Sequence, residues 1–526
     1  MKGFGERHKS KNKSTNKIKP PKEQIINQAI QFHLNGNIPE AAKYYQYCIN
    51  QGFDDPQVFS NYAGILRLSG KLKEAEVLLH KAIELKPDYP QAHFNLGCVF
   101  NYMGKPKNAE ASYLKAIELN PKNAESHYSL GKVLSDLGKL QEAELSYLKA
   151  IELNPNYINA HFNLGNVFSN LGKLQEAELS YLKTIELNPN YIKAYYALSL
   201  LKYSDQKKTW NNLFSENILN HKSNEDKILI YFARANILHN EKNYEKSSKF
   251  FKLANQLKLS LHPSNSSSLI NNSKKLLIES IKQKINQKEN SKLKESIFIV
   301  GMPRSGSTLL ESILSMNAGI SDLGESKLLK EAFLDYKKSN QKLDLGEIYL
   351  EKIKNHTQQS NITTNKNLYN YVYAGFIASK IPNSKIIHCY RNPLDNICSI
   401  YRTNFRVGNQ YSSSLIDCAN IYLNHEEIMS KYKNKFRSKI YDLNYDSLVC
   451  NPKEEIKSLI SWLGWKWSDA YLSPHLNSRI VYTASKVQVR SPINAKSLGG
   501  WKNYKDMLRP AMEIITQKDK YKDLKY

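Results

Sequence analysis

Apolar residues recur at helical spacing through the first 200 positions, and the whole pattern repeats every 34 residues. Each unit carries a glycine, an alanine five residues later and, in most units, a closing proline. These positions are Gly36, Gly70, Gly104, Gly138 and Gly172, then Ala41, Ala75, Ala109, Ala143 and Ala177, then Pro87, Pro121, Pro155 and Pro189. Glycine suits an inter-helix turn, alanine permits close helix crossing, and proline ends a helix. The period therefore predicts stacked helical hairpins.

A second pattern begins at Ser296, where apolar and partly β-branched residues run into a Gly/Pro/Ser-rich turn and then into a helical pattern at Leu309 and Leu310. We predict strand, loop and helix. Such a loop directs backbone N–H groups and a helix N-terminus at one point, which favours an anion. The lysine of the nucleotide-triphosphatase signature is replaced by Ser307, and the cation of the loop is Arg304. The expected ligand is an activated anion rather than a metal-bound triphosphate.

The 34-residue period is identified as the tetratricopeptide pattern between residues 23 and 203. Residues 204–261 keep a weaker form of it, with Glu241 in place of the turn glycine, and are predicted to be degenerate repeats or capping helices. The concave face of such a solenoid usually binds a protein or peptide, and Asn95 and Asn163 are candidates for bonding a peptide backbone. A packing scaffold without a ligand in the groove remains the alternative.

Net charge, cysteines and the segments outside the two patterns restrict the possible partners and the location of the protein. The net charge of +26 permits anionic partners without choosing among them, and we expect no nucleic acid partner. Residues 1–22 are predicted to be a disordered basic tail, and residues 262–295 a linker. Six dispersed cysteines indicate neither a disulfide framework nor a zinc site. We find no secretory signal and no apolar run long enough to span a membrane, so a cytoplasmic location is expected.

The segment Pro-Arg-Ser-Gly-Ser-Thr-Leu-Leu at 303–310 closely resembles the 5′-phosphosulfate loop of the sulfotransferases, in particular the tyrosylprotein-sulfotransferase-like branch. The resemblance covers roughly residues 296–510. It implies an α/β, P-loop-like domain at 296–526 with a central parallel sheet, placed behind an all-α solenoid. It also implies 3′-phosphoadenylyl sulfate as the donor, with no metal. The residues implied to hold the 5′-phosphosulfate are Arg304, Ser305, Gly306, Ser307 and Thr308.

The same resemblance implies catalytic residues. Glu325 matches the family's general base, which removes the proton of the acceptor hydroxyl. Lys366 matches a lysine at the donor's bridging oxygen, although Asn365 and Leu368 replace the Asp and Pro of that motif. Ser485 would help hold the transferring group, and Arg304, Lys366 and Ser485 would stabilise the charge that develops during transfer.

Further positions are implied to bind the nucleotide. Arg391 and Ser399 resemble the clamp on the 3′-phosphate, and Tyr445 the tyrosine that contacts the nucleotide. The segment through Arg490 to Asn494 would cover the adenosine end. Gly500 stands where tyrosylprotein relatives have a lysine before a tryptophan.

The sequence thus predicts a sulfotransferase that acts on an acceptor hydroxyl. A protein tyrosine presented by the repeats is one acceptor that the family branch implies, while saccharide and small-molecule hydroxyls stay open. The alternative is a peptide-binding adaptor with an inactive transferase domain, which the substitutions at Asn365, Leu368 and Gly500 favour.

Overall fold

The computed structural model describes residues 21–201, 207–283, 294–354, 360–405, 408–477, 483, 485 and 487–525. The predicted tail lies outside these ranges up to residue 20, and the predicted linker does so over residues 284–293. Contacts divide the chain into two compact units, Met1–Leu164 and Gly165–Tyr526.

The first unit consists of antiparallel helical hairpins. Its helices are α1 (Lys22–Leu34), α2 (Ile38–Asn50), α3 (Pro56–Leu68), α4 (Leu72–Leu85), α5 (Pro90–Tyr102), α6 (Pro106–Leu119), α7 (Ala124–Asp136), α8 (Leu140–Leu153) and the first half of α9 (Ile158–Leu171). The repeat alanines, such as Ala75 and Ala109, are fully buried. Gly131 lies against the Tyr147 ring so closely that a Cβ atom would overlap it. The 34-residue pattern therefore sets both the turns and the helix crossings.

The second unit opens with more helices of the same kind. They are α10 (Leu174–Leu187), α11 (Ile192–Ser199), α12 (Lys207–Phe214), α13 (Asn224–Asn240), α14 (Tyr244–Leu261) and α15 (Ser266–Ile281). The hairpin α13–α14 lacks a turn glycine, and Lys242, not the predicted Glu241, occupies that position with a positive φ of 61°. The weak periodicity after residue 203 nevertheless encodes a helical pair.

A domain built on a five-stranded sheet follows. Its elements in chain order are β1 (Glu295–Gly301), α16 (Ser307–Leu314), β2 (Ile320–Asp322), α17 (Leu328–Lys338), α18 (Leu345–Lys354), β3 (Ile362–Asn365), α19 (Ala374–Lys380), β4 (Ser384–Tyr390), α20 (Pro393–Tyr401), α21 (Leu415–Phe436), β5 (Ile440–Asn444), α22 (Tyr445–Cys450), α23 (Pro452–Leu463) and α24 (Lys505–Ile515). All pairs are parallel, in the order β2-β3-β1-β4-β5. This confirms the predicted central parallel sheet.

Helices cover both faces of the sheet, as a buried parallel sheet requires. On one face Phe298 and Val300 of β1 pack with Leu277 of α15, and on the other Ile297 and Ile299 pack with α16 and α23. Part of the segment predicted as a linker is therefore a core helix of this domain. In the sequence, exposed Lys274 and Lys275 stand directly before the buried Leu276 and Leu277, and the lysines that follow residue 281 extend this polar composition.

A third core joins the hairpin α13–α14 to the sheet domain. Phe232 and Phe251 of the hairpin pack in one buried cluster with Met302 of the loop after β1 and with residues of α20, α21 and α24. The hairpin therefore shares its core with the loop that follows the central strand.

Candidate functional site

The loop between β1 and α16 lies at the carboxyl end of the central strand, where ligands bind in parallel α/β sheets. Gly306 caps α16 with a φ of 91°, and Arg304 also has a positive φ, 69°. A Cβ atom on Gly306 would overlap the Tyr445 ring, and one on Gly301 would overlap the Cys389 carbonyl of β4. The loop therefore requires glycine at both positions. It leads directly into the N-terminus of α16, where backbone N–H groups favour an anion.

The guanidinium of Arg304 gathers side chains from two distant segments. Its Nε donates to Ser399 Oγ at 2.9 Å and one Nη donates to Gln488 Oε1 at 2.9 Å, while the other donates to Ser485 Oγ. Burial, with Arg391 and Arg402 nearby, lowers the pKa of Arg304 to about 10. The structure thus brings the predicted residues Arg304, Ser399 and Ser485 together.

Arg391 follows β4 and supplies a second cation beside the loop. It is 7% exposed, lies 4.7 Å from the centre of the Tyr445 ring, and donates to the Ser497 carbonyl at 3.1 Å. Its Nε lies 3.9 Å from Asp446 and makes no hydrogen bond to any described residue. This buried, incompletely bonded guanidinium has donor capacity left for an anion.

Tyr445 and Asp395 order the segment opposite Arg391. The Tyr445 hydroxyl lies 3.0 Å from Ser497 Oγ, and the Asp395 carboxylate accepts the N–H groups of Gly499 and Trp501 at 2.8 and 2.9 Å. Hydrogen bonds to Asp395 of α20 and Tyr445 of α22 therefore hold the segment 497–501 beside the loop.

The third group of polar residues surrounds Lys366 at the end of β3. Its ammonium lies 3.2 Å from Glu325 and 3.4 Å from Glu311, a residue of α16. Lys366 and Glu311 are each 1% exposed, whereas the Glu325 side chain is 61% exposed. Asn365 does not contact this ammonium through its amide oxygen, which accepts from Asn367 and Asn370. The predicted base and the predicted lysine are thus in contact.

The other loop hydroxyls differ in their partners. Thr308 lies 3.1 Å from Thr483, while Ser305 Oγ is buried and has no hydrogen-bond partner among the described residues. Ser307 is buried at the start of α16. An unpaired buried hydroxyl next to the N-terminus of α16 suits a ligand oxygen.

The structure places Arg490 and Asn494 apart from the Arg304 cluster. Arg490 donates to the carbonyls of Asn477 and Asn170, the latter in α9, and packs on Gly172. Asn494 donates to Pro492 within its own turn. Arg490 thus joins the segment 487–494 to the end of α9, within the second unit.

Reasoning from sequence missed Glu311, Asp395 and Gln488. A single acidic residue in the apolar helix pattern of α16 was the available signal for Glu311. Asp395 and Gln488 carry no comparable signal, because their partners come from distant parts of the chain. In the first unit, Asn95 donates to Ser60 and Asn163 to Tyr128, so both amide groups bond within the repeats.

This geometry defines an α/β domain with arginines after two adjacent strands and a lysine–carboxylate group after a third. Residues 296–469 match the family described as the Sulfotransferase family. Tetratricopeptide repeat models match residues 90–123, 112–144, 158–191 and 228–260, and further TPR repeat matches lie at 64–104 and 131–172. The family models thus show a sulfotransferase domain over residues 296–469, preceded by tetratricopeptide repeats.

Individual relatives are distant. An "Uncharacterized protein" of Aquifex aeolicus (strain VF5) is 30% identical over 248 residues, 43% of this chain and 32% of that protein. Protein-tyrosine sulfotransferase 2 of Gallus gallus is 23% identical over 231 residues, 39% of this chain and 62% of that protein. The chain thus spans less than two thirds of either relative. The solved structure of YrrB, a TPR protein with an unusual peptide-binding site, matches with 25% identity and a TM-score of 0.30 over 38% of this chain and all of that one.

Two further features concern the setting of the protein. No helix within the described ranges has the length and hydropathy that crossing a membrane requires. All six cysteines lie in those ranges as free thiols, and five of them are partly or fully buried.

Proposed function

We propose that the chain is a sulfotransferase that uses 3′-phosphoadenylyl sulfate and an acceptor hydroxyl. The observation that carries the proposal is the arrangement at three neighbouring strand ends: the loop with Arg304 after β1, Arg391 after β4, and Lys366 with Glu325 at β3. A cradle for one phosphate group, a second buried cation and a paired carboxylate suit a donor with two anionic ends and an acceptor that must lose a proton.

The residues would divide the work as follows. The loop residues 304–308 hold the 5′-phosphosulfate through N–H groups and hydroxyls, and Arg391 and Ser399 hold the 3′-phosphate beside Tyr445. Glu325 takes the proton of the acceptor hydroxyl as its oxygen bonds to sulfur. The bond between sulfur and the phosphate oxygen breaks, and Lys366, Arg304 and Ser485 neutralise the charge on the departing 3′,5′-adenosine bisphosphate. This scheme needs no metal.

We further propose a protein tyrosine as the acceptor, held by a protein or peptide site on the repeats. The support is the match of the sheet domain to protein-tyrosine sulfotransferases and the presence of tetratricopeptide repeats in the same chain. Exposure of Glu325 leaves room for a macromolecular acceptor. A cytoplasmic location belongs to the same proposal and is supported by the free cysteines.

The first experiment is calorimetric titration of the full chain with 3′,5′-adenosine bisphosphate, with ATP and Mg²⁺ in parallel. We expect the bisphosphate to bind wild type, Arg391→Ala to lose that binding, and Arg509→Ala, an exposed arginine of α24, to keep it. Transfer of labelled sulfate to tyrosine-containing peptides then tests the acceptor. A protein that does not bind the bisphosphate is not a sulfotransferase, and the adaptor alternative would then hold.

If the chain bound the bisphosphate but transferred no sulfate, the alternative of a peptide-binding adaptor with an inactive transferase domain would also hold. In that case the donor site would exist while the chemistry was lost. The variant Glu325→Gln serves as the matched inactive protein in this assay, since it retains the shape of the side chain and loses the carboxylate.

A further inference from the structure

Glu311 is a carboxylate buried in an apolar helix. It lies in the middle of α16, the helix that the anion-binding loop begins, and its neighbours Leu310, Ile313 and Leu314 are fully buried. A buried carboxylate is costly unless a cation or several donors compensate for it. Its presence here calls for a partner.

That partner is Lys366, whose ammonium lies 3.4 Å from Glu311 and is equally buried. The pair joins α16 to the end of β3, and its two residues lie 55 positions apart in the sequence. Lysine carries its charge on a flexible stem with three rotatable N–H groups, so a catalytic lysine needs something to fix its direction.

The second carboxylate at this ammonium, Glu325, has a different environment. It contacts Lys366 at 3.2 Å, but its side chain is 61% exposed, so an acceptor can reach it from solvent. Lys366 donates one N–H to Glu325 and forms an ion pair with Glu311. Because an ammonium has three N–H groups, at least one is left for a ligand oxygen. When Glu325 turns to an acceptor hydroxyl, Glu311 is the carboxylate that still holds the ammonium.

We propose that Glu311 is a positioning residue for Lys366: it anchors the ammonium from the helix of the anion-binding loop, so that Lys366 faces the donor's bridging oxygen while Glu325 is free to act as base. This inference rests on the proposed function. Glu311 itself would touch neither donor nor acceptor, and its effect would pass through Lys366.

The kinetic test compares Glu311→Gln, Glu311→Asp and Lys366→Met with the exposed control Glu347→Gln in the full chain. We expect Glu311→Gln to lower kcat on the order of 100-fold with the KM for donor and the affinity for 3′,5′-adenosine bisphosphate changed about two-fold or less. Glu311→Asp, which keeps the carboxylate, should have a kcat between those of Glu311→Gln and wild type. Glu347→Gln should have the kcat of wild type. In the Lys366→Met background, Glu311→Gln should cause no further loss. Independent, multiplying losses in kcat would overturn the proposal, as would an unchanged kcat in Glu311→Gln.

Thermal unfolding of wild type, Glu311→Gln, Lys366→Met and the double variant tests the pair without reference to activity. Lys366→Met leaves a buried carboxylate without its ammonium and should lower Tm, whereas adding Glu311→Gln to it should raise Tm again. Additive losses in Tm would overturn the pairing. If wild type transfers no sulfate, the proposed function fails and the kinetic role of Glu311 fails with it. A Tm raised by the second substitution would then still support the ion pair.

Discussion

His239 of α13 and Tyr504 of the turn before α24 share a hydrogen bond of 2.9 Å between Nδ1 and the phenolic oxygen. The same hydroxyl lies 3.0 Å from Ser247 of α14, and the guanidinium of Arg402 lies 4.9 Å from the centre of the Tyr504 ring. Arg402 in turn lies close enough to Arg304 to lower its pKa. Side-chain contacts thereby connect a helical hairpin of tetratricopeptide type to the loop between β1 and α16.

This contact predicts an acid sensitivity. Burial, with Arg402 nearby, lowers the pKa of His239 to about 3 in the folded protein. The unfolded chain binds a proton at its ordinary value near 6.5, so folding is penalised increasingly as the pH falls below that value. Between pH 7 and pH 5 His239 should account for at most about 2 kcal/mol of lost stability.

The measurement is urea unfolding of wild type and His239→Gln at pH 7 and pH 5. We expect the variant to be less stable at pH 7, because it loses the bond to Tyr504, and to lose less on acidification. His388 and His425, whose pKa values are also lowered mainly by burial, are present in both proteins and cancel in the comparison. Equal losses on acidification would show that His239 is not the group that senses the pH.

The hairpin's place in the core gives a second prediction. Phe251 is fully buried in the cluster that contains Met302 of the loop and Leu508 of α24. Phe251→Ala should therefore destabilise the sheet domain by about 3–5 kcal/mol and reduce the fraction that binds 3′,5′-adenosine bisphosphate. Phe94→Ala, in the core of the first unit, is the matched control and should lower the stability of that unit while bisphosphate binding persists. If Phe94→Ala lost bisphosphate binding while Phe251→Ala kept it, the assignment of the donor site to the core that contains Phe251 would be wrong.

The elements that sequence predicts well are those whose signal is local. A 34-residue period shows each hairpin, and an apolar strand followed at once by Gly301 and Gly306 shows the loop and its helix. Sequence fails where the partner is remote. The Lys366 and Glu311 pair, the bond from Asp395 to Gly499, and the contact of Arg490 with Asn170 each join residues that no local pattern relates. The buried side of α15 was missed because adjacent lysines give it the composition of a linker.

Glycine at the loop is a third test. Gly306 combines a φ of 91° with direct contact to the Tyr445 ring, so Gly306→Ala adds both backbone strain and an overlap with a ring that lies beside Arg391. Gly464→Ala introduces the same left-handed strain, at a φ of 76°, where a Cβ atom meets open space. Both variants should lose about 1 kcal/mol of stability from the backbone alone. We expect calorimetry to show lost bisphosphate binding in Gly306→Ala and wild-type binding in Gly464→Ala, and similar affinities in both would contradict the role of the loop.

Asp395 gives the last prediction, because its carboxylate fastens the turn that covers Arg391. Both oxygens accept, one from Gly499 and one from Trp501, and Asp395 also lies 3.8 Å from an Arg391 nitrogen. An amide has one acceptor oxygen, so Asp395→Asn must turn an NH₂ group towards a backbone N–H. Losing one such charge-assisted bond at a buried site costs about 1.5–3 kcal/mol.

We therefore expect Asp395→Asn to release the turn, to change the fluorescence of Trp501, and to weaken bisphosphate binding about 10- to 100-fold. Asp506→Asn, an exposed aspartate of α24, is the control of equal charge change and should leave both signals at their wild-type values. If Asp395→Asn bound the bisphosphate as wild type does while its Trp501 signal changed, the turn would be a structural support and not part of the donor site.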